Sequence, residues 1–229
     1  MNPSITKAIP LRFARLAGAA LLAMAASQPA LSTNVSLSGS LAQDDSVQNF
    51  RLTLSAPGSV SVTSIGYAGG SRFNGSSVGA GGFDSVLYLF SSTGALLAQS
   101  DDGIAAPVDP VTGEALDAAF TTATLAAGEY LVSLAQADNY LLGFNRSDGF
   151  AQSGNANFSA AFGCSNGSFC DYQGNNRTSA WSINFSGQTL STVPEPGSMA
   201  LLLGAFGALA ALRRRDGARQ ARRPGLAAA

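Results

Sequence analysis

The sequence predicts an all-β fold, a β-sandwich of jelly-roll type with about eight strands. One observation behind this prediction is a series of short runs in which apolar and polar residues alternate, separated by Gly, Asn, Ser and Asp. A second is that no segment between residues 33 and 192 keeps apolar residues at helical spacing for three turns. Both observations favour strands joined by turns over helices.

Individual runs support the prediction. In the first of them, Phe50, Leu52 and Leu54 fall on one face of an extended chain. In the last, Trp181 is expected in the core, with Ile183 and Phe185 on the same face. The predicted strands are 46–54, 59–65, 85–90, 95–100, 118–125, 129–137, 157–162 and 179–187.

Two connections between these strands are informative. The segment 66–82 contains seven glycines in seventeen residues, which predicts a long loop. The tripeptide Ser-Thr-Gly at 92–94 predicts a tight turn, so that 85–90 and 95–100 form a hairpin.

The N-terminus has the three parts of a secretory signal peptide, predicted to span residues 1–32. Three basic residues precede an uncharged apolar run at 16–26, which is followed by small residues suited to cleavage at 23–25 or 30–32. Eleven helical residues extend about 16 Å, too short for a bilayer core of about 30 Å. The Sec translocon and signal peptidase are the implied partners.

The C-terminal segment 193–215 is predicted to stop in the membrane after the domain 33–192 has been exported. It consists of Val193, Pro194, Glu195 and Pro196, the apolar run 197–212, and the cluster Arg213, Arg214 and Arg215. Sixteen helical residues extend about 24 Å, a marginal span that suits a temporary insertion in the inner membrane. The arginines predict that the tail 216–229 is cytoplasmic.

Charge and composition exclude several functions. The region 33–192 holds four arginines and twelve acidic residues, a formal charge of −8, which argues against nucleic-acid binding. The chain has no histidine, which excludes Ser-His-Asp and Cys-His catalysis and histidine-ligated metals. Its only lysine is Lys7, so the exported part cannot form a Schiff base.

The two cysteines, Cys164 and Cys170, are predicted to form a structural disulfide, because an exported protein meets an oxidising environment. The alternative is a redox-active pair, which usually has closer spacing and lies beside a helix N-terminus. The intervening residues, Ser-Asn-Gly-Ser-Phe, have loop composition and favour the structural role.

Three carboxylates are predicted to converge at one edge of the sandwich. Asp84 precedes the proposed hairpin, and Asp101 and Asp102 follow it, so an antiparallel arrangement brings them together. Several oxygen ligands suit Ca²⁺, and Asp109 or Asp117 are candidates to join them. Asp-Asp-Gly is also ordinary turn chemistry. A third interpretation is a glycosidase that uses these acids, with Tyr88 or Trp181 as a sugar platform.

The C-terminal pattern resembles the PEP-CTERM sorting signal of Gram-negative bacteria. The resemblance rests on Val-Pro-Glu-Pro at 193–196, the apolar segment 197–212 and the arginines 213–215. It implies processing by exosortase and an association with exopolysaccharide and biofilm. The fourteen further residues, 216–229, depart from the usual pattern, in which the chain stops soon after the basic cluster.

The body resembles the DVUA0089 family of surface proteins, which is similar to PPC β-sandwich domains. The resemblance is carried by 81–103, 125–135 and 162–185, and it implies no catalytic residues. The expected function is therefore non-enzymatic: a structural or adhesive protein of the cell surface or extracellular matrix. The alternatives are a carbohydrate-binding module supported by calcium, and a glycan-degrading enzyme.

Overall fold

A computed structural model describes residues 32–188 and 190–194 as an all-β unit. The part described contains eleven strands and two short 3-10 helices, at Arg146–Asp148 and Phe158–Phe162. The strands are β1 (Ser32–Ser40), β2 (Gln48–Leu54), β3 (Val60–Ser64), β4 (Gly70–Ser71), β5 (Ser77–Val78), β6 (Ser85–Ser91), β7 (Leu96–Ser100), β8 (Ala119–Thr121), β9 (Gly128–Gln136), β10 (Ala180–Gln188) and β11 (Leu190–Pro194).

The strands form two antiparallel sheets and one small hairpin. The first sheet has the order β1-β10-β3-β8, and the second has the order β11-β2-β9-β6-β7. The third unit is the β4-β5 hairpin. One shared core contains side chains from both larger sheets, an arrangement consistent with the predicted β-sandwich.

The core confirms the period-two pattern of the sequence. Phe50, Leu52 and Leu54 on β2 are buried, while Arg51 between them is exposed. Trp181 and Phe185 on β10 both pack edge-on against Phe50, at ring-centroid distances of 5.3 and 5.4 Å. The predicted packing of Trp181 in the core is therefore confirmed.

Strand β6 is apolar on both faces because both of its faces are covered. Leu87 and Leu89 enter the core between the sheets. The alternate residues Val86, Tyr88 and Phe90 form a second cluster on the outer face of the sheet. The loop after β9 covers that cluster, with partly buried Leu141 and Phe150 packed against it. This explains why 85–90 reads as one continuous apolar run.

The hairpin prediction is confirmed. β6 and β7 pair antiparallel, with Leu87 opposite Ser100. The turn at 92–94 ends at Gly94, whose φ of +90° is a conformation that favours glycine.

Three features differ from the sequence prediction. β1 and β11 were not predicted, because their sequences are rich in Ser and Thr and contain few apolar residues. The segment 66–82 contains the β4-β5 hairpin as well as loop. The predicted strand at 157–162 is wrong, since this segment forms the second 3-10 helix.

A distant carboxylate accounts for the 3-10 helix. Asp44, fully buried, accepts hydrogen bonds from the backbone N–H groups of Asn157 and Ser159 and from the Ser159 hydroxyl. Its contacts bend the chain at the start of the segment, where Asn157 has a φ of +62°. A tertiary contact thus overrides the local strand pattern.

The predicted disulfide is present: Cys164 and Cys170 are bonded, with their Cα atoms 5.5 Å apart. No helix within residues 32–188 and 190–194 is long and apolar enough to cross a membrane. The predicted signal peptide and the predicted membrane helix 197–212 lie outside the described residues, apart from Ser32, which begins β1.

Candidate functional site

The β6-β7 hairpin brings together the three carboxylates that the sequence singled out. Asp84 immediately precedes β6, and Asp101 and Asp102 immediately follow β7. One carboxylate oxygen from each residue lies within 4.8 Å of the other two. The fold therefore brings these acids together as the sequence predicted. Whether they bind a metal ion is a separate question.

The three acids differ in environment. Asp84 is buried, with 7% of its surface exposed, while Asp101 and Asp102 face solvent. The Oδ1 atom of Asp84 is enclosed and has no hydrogen-bond partner in the described part of the chain. Nor do these acids form an ion pair with an arginine described there. A buried polar atom without a partner is costly, so this one needs an explanation.

Burial and repulsion between carboxylates both raise the pKa values of the three acids. Burial, followed by the charges of Asp101 and Asp102, raises the pKa of Asp84 to about 8. Burial also raises the pKa of Asp101, and the negative charge of Asp138 raises it further. The pKa of Asp102 is raised by burial and by Asp101. Burial and repulsion therefore favour the protonated form of Asp84.

Two neighbours of the cluster were not predicted from the sequence. Tyr140 donates a hydrogen bond from its hydroxyl to Oδ2 of Asp101, at 2.9 Å. Asp138, in the turn after β9 with a φ of +67°, contributes negative charge at Asp84 and Asp101. Both reach the site because β9 pairs with β6, with Ser85 opposite Gln136. Their position beside the cluster could have been predicted only from the order of the strands in the sheet.

Asp117 fixes the backbone beside the cluster and is not one of its members. Its Oδ1 accepts hydrogen bonds from the Ser64 hydroxyl and from the N–H groups of Gly66 and Tyr67. Its Oδ2 accepts a bond from the N–H group of Ala68. The Ser64 hydroxyl is in turn 2.7 Å from that of Ser85, the residue after Asp84.

Asp109 likewise has a structural partner, and thus is not a ligand in the cluster. Its Oδ2 lies 2.7 Å from a terminal nitrogen of Arg177, and both side chains are almost fully buried. The guanidinium also donates to the carbonyl oxygens of Gly82 and Tyr67 and stacks on the Tyr67 ring, 3.7 Å from its centroid. The pair ties the 101–117 loop to the chain just before Asp84.

The aromatic residues proposed as a sugar platform do not provide one. Tyr88 is 2% exposed and Trp181 is 8% exposed, so neither presents a ring face to solvent. The exposed aromatic side chains include Tyr140, whose hydroxyl contacts Asp101. That part of the glycosidase interpretation is wrong.

Without metal, the protein is expected to lose stability as the pH rises from about 4 to about 8. Over that range Asp84 keeps its proton when folded and loses it when unfolded, so folding is favoured at the lower pH. The raised pKa values of Asp101 and Asp102 act in the same direction. Asp84 contributes at most about 1.4 kcal/mol per pH unit to this dependence.

Guanidinium unfolding in EDTA at pH 5 and pH 8.5 measures this dependence. Asp84→Asn is expected to flatten it, because the amide does not titrate. Equal pH dependence in wild type and Asp84→Asn would contradict the assignment.

The sorting segment begins inside the fold. Val193 and Pro194 are the last two residues of β11 and pair with Arg51 and Phe50 of β2. β11 is the edge of its sheet, a position where proline is tolerated. Glu195, Pro196 and the arginines Arg213, Arg214 and Arg215 lie outside the described residues.

Comparison with known families identifies the segment. Residues 192–215 match the PEP-CTERM protein-sorting motif. The chain carries a PEP-CTERM sorting signal. This motif indicates an exported protein that is sorted by exosortase to the cell envelope or surface. No curated protein matches the sequence.

Proposed function

We propose that this protein is a non-catalytic β-sandwich of the cell surface or extracellular matrix, where it has a structural or adhesive role within exopolysaccharide. The observation that carries the proposal is the PEP-CTERM motif at 192–215, which begins in the last strand of an acidic all-β domain. Export proceeds through the Sec translocon with removal of 1–32 by signal peptidase. The segment 197–212 then lodges briefly in the inner membrane until exosortase acts.

The body is proposed to be a jelly-roll domain of the PPC-like DVUA0089 type. The segments that carry this resemblance correspond to defined parts of the fold. Residues 81–103 contain the β6-β7 hairpin, and 125–135 contain most of β9. Residues 162–185 contain the disulfide and most of β10.

A carbohydrate-binding module supported by calcium is the second candidate function. The observation that favours it is Tyr140, which is 40% exposed and whose hydroxyl contacts Asp101. An exposed ring beside a cation site offers a sugar both an apolar face and charged ligands.

The proposal of a non-catalytic role is supported by the burial of Tyr88 and Trp181, the two rings considered as a sugar platform for a glycosidase. Release of reducing sugar that disappears in Asp101→Ala would overturn this part of the proposal.

Matrix association is the property to test. Cells that make the protein are fractionated before and after enzymatic removal of their exopolysaccharide. The proposal expects the protein in the matrix fraction at first and in the soluble fraction afterwards. Retention in the membrane fraction under both conditions would contradict it.

A glycan array with the purified protein separates the two candidates. A structural matrix protein binds no glycan selectively. Selective binding that weakens in Tyr140→Ala and persists in Tyr130→Ala would favour the carbohydrate-binding module. Tyr130 is the control because its hydroxyl donates to the nearby carbonyl oxygen of Ala126 and, among the described residues, to no acid of the cluster.

A further inference from the structure

We propose that Asp84, Asp101 and Asp102 form a site for one calcium ion at the end of the β6-β7 hairpin. The inference does not depend on the proposed function. Two oxygens bound to the same calcium ion at 2.3–2.6 Å are at most about 4.6–5.2 Å apart. The three carboxylate oxygens, all within 4.8 Å of one another, can therefore surround one ion.

Asp84 distinguishes this cluster from an ordinary group of surface acids. Its side chain is more than nine-tenths buried, and its Oδ1 atom has no hydrogen-bond partner in the residues described. The charged groups that act on Asp84 are further carboxylates, which repel its charge. A bound cation gives the enclosed oxygen a partner and also cancels the repulsion among the carboxylates.

The surroundings add negative charge. Asp138 and Asp171 both act on Asp84 in addition to Asp101 and Asp102. Arg177, a nearby buried cation, already pairs with Asp109. A divalent ion therefore enters a site whose charge is not balanced by an arginine of the described chain.

The ligand chemistry favours calcium over other metals. The chain has no histidine, and both cysteines are bonded to each other, so nitrogen and thiolate ligands are absent from the part described. Carboxylate oxygens suit hard cations. Asp101 and Asp102 face solvent, so water can complete the six to eight ligands that calcium takes. Magnesium demands a stricter octahedron of shorter bonds.

Binding has a structural consequence. The ion joins the start of β6 to the loop that leaves β7, both at the same end of the hairpin. It is therefore expected to stabilise the folded chain by mass action. With a Kd of about 0.1–1 mM, which is typical of extracellular sites, 10 mM CaCl₂ raises Tm by about 3–10 °C.

The test uses protein isolated from the producing cells, stripped with EDTA and dialysed at pH 8. Isothermal titration with CaCl₂ is expected to give one ion per chain with a Kd near or below 1 mM. MgCl₂ is expected to bind at least tenfold more weakly. Thermal melts with and without 10 mM CaCl₂ give the matching Tm shift.

Two variants locate the site, and one controls for charge. Two variants are each expected to abolish the heat of calcium binding and the rise in Tm with calcium. They are the single change Asp84→Asn and the double change Asp101→Asn with Asp102→Asn. Neither should prevent folding, because each relieves repulsion in the metal-free protein. Glu129→Gln removes one exposed acid at the opposite end of β9 and should bind calcium like wild type.

Three results would overturn the proposal. The first is that calcium gives neither a heat of binding nor a change in Tm in the wild-type protein. The second is that both carboxylate variants still bind calcium. The third is that the wild-type protein binds magnesium as tightly as calcium. The melt of each variant in EDTA shows that it is folded, so lost binding cannot be mistaken for lost structure.

Discussion

Replacement of Arg177 by methionine is expected to lower the free energy of unfolding by about 3–5 kcal/mol. The guanidinium and the Asp109 carboxylate form an ion pair with side-chain exposures of 4% and 1%. Removal of the arginine leaves a buried carboxylate without its cation and leaves the carbonyl oxygen of Gly82 without this donor. The carbonyl oxygen of Tyr67 also loses a hydrogen bond but keeps the one from the Gly81 N–H group. Equilibrium unfolding in guanidinium at pH 7 measures the loss.

Two further variants identify the cause of that loss. Arg146→Met removes an exposed arginine and is expected to change stability by less than about 0.5 kcal/mol. The double change Arg177→Met with Asp109→Asn is expected to recover part of the loss, because it removes the stranded charge. Equal stability of Arg177→Met and Arg146→Met would show that the buried pair contributes nothing.

The same pair has a pH dependence opposite to that of Asp84. Burial by itself raises the pKa of Asp109, but the Val111 N–H and the Arg177 guanidinium outweigh it, so the net pKa is lowered. A lowered pKa contributes stability above the unfolded value near 4, and that contribution is lost as the pH falls further. The pair therefore affects the pH dependence of stability below about pH 4, whereas Asp84 affects it between about pH 4 and pH 8.

Asp117→Ala is expected to cost about 3–6 kcal/mol, the other large effect in this structure. The alanine leaves the backbone N–H groups of Gly66, Tyr67 and Ala68 without their acceptor. Asp117 itself is 1% exposed, so water cannot readily replace the carboxylate. Because Ser64 joins Asp117 to Ser85, the variant is also expected to weaken calcium binding at Asp84.

Asp148→Ala provides the comparison, measured by the same unfolding experiment. Asp148 is an exposed carboxylate that accepts a hydrogen bond from one backbone N–H group, that of Asn145. Its removal is expected to cost about 1 kcal/mol or less. If both variants lose the same small amount, the Asp117 network does not have the proposed role.

The parts of the fold that the sequence predicted are those governed by local patterns. The β6-β7 hairpin follows from an apolar run, a glycine turn and a second run, and the convergence of Asp84 with Asp101 follows from the hairpin. The burial of Trp181 follows from its alternation with Ile183 on β10.

The parts that were missed depend on contacts between distant residues. Asp44 sets the 3-10 helix 113 residues further along the chain, and Arg177 meets an aspartate 68 residues before it. β11 lies in its sheet because β2 is available to pair with it, and its own sequence is not strongly apolar. The local alternation of apolar and polar residues does not indicate such contacts, so the sequence could not predict them.

Mass spectrometry of the protein from the surface and matrix of the producing cells tests the central claim, that the chain is exported and then cut at its sorting segment. The account predicts a mature N-terminus at residue 26 or residue 33 and a C-terminus near 193–196. It also predicts a mass lower by two hydrogens, from the bond between Cys164 and Cys170. Recovery of the full-length chain from the cytosol, with residues 216–229 intact and both thiols free, would contradict it.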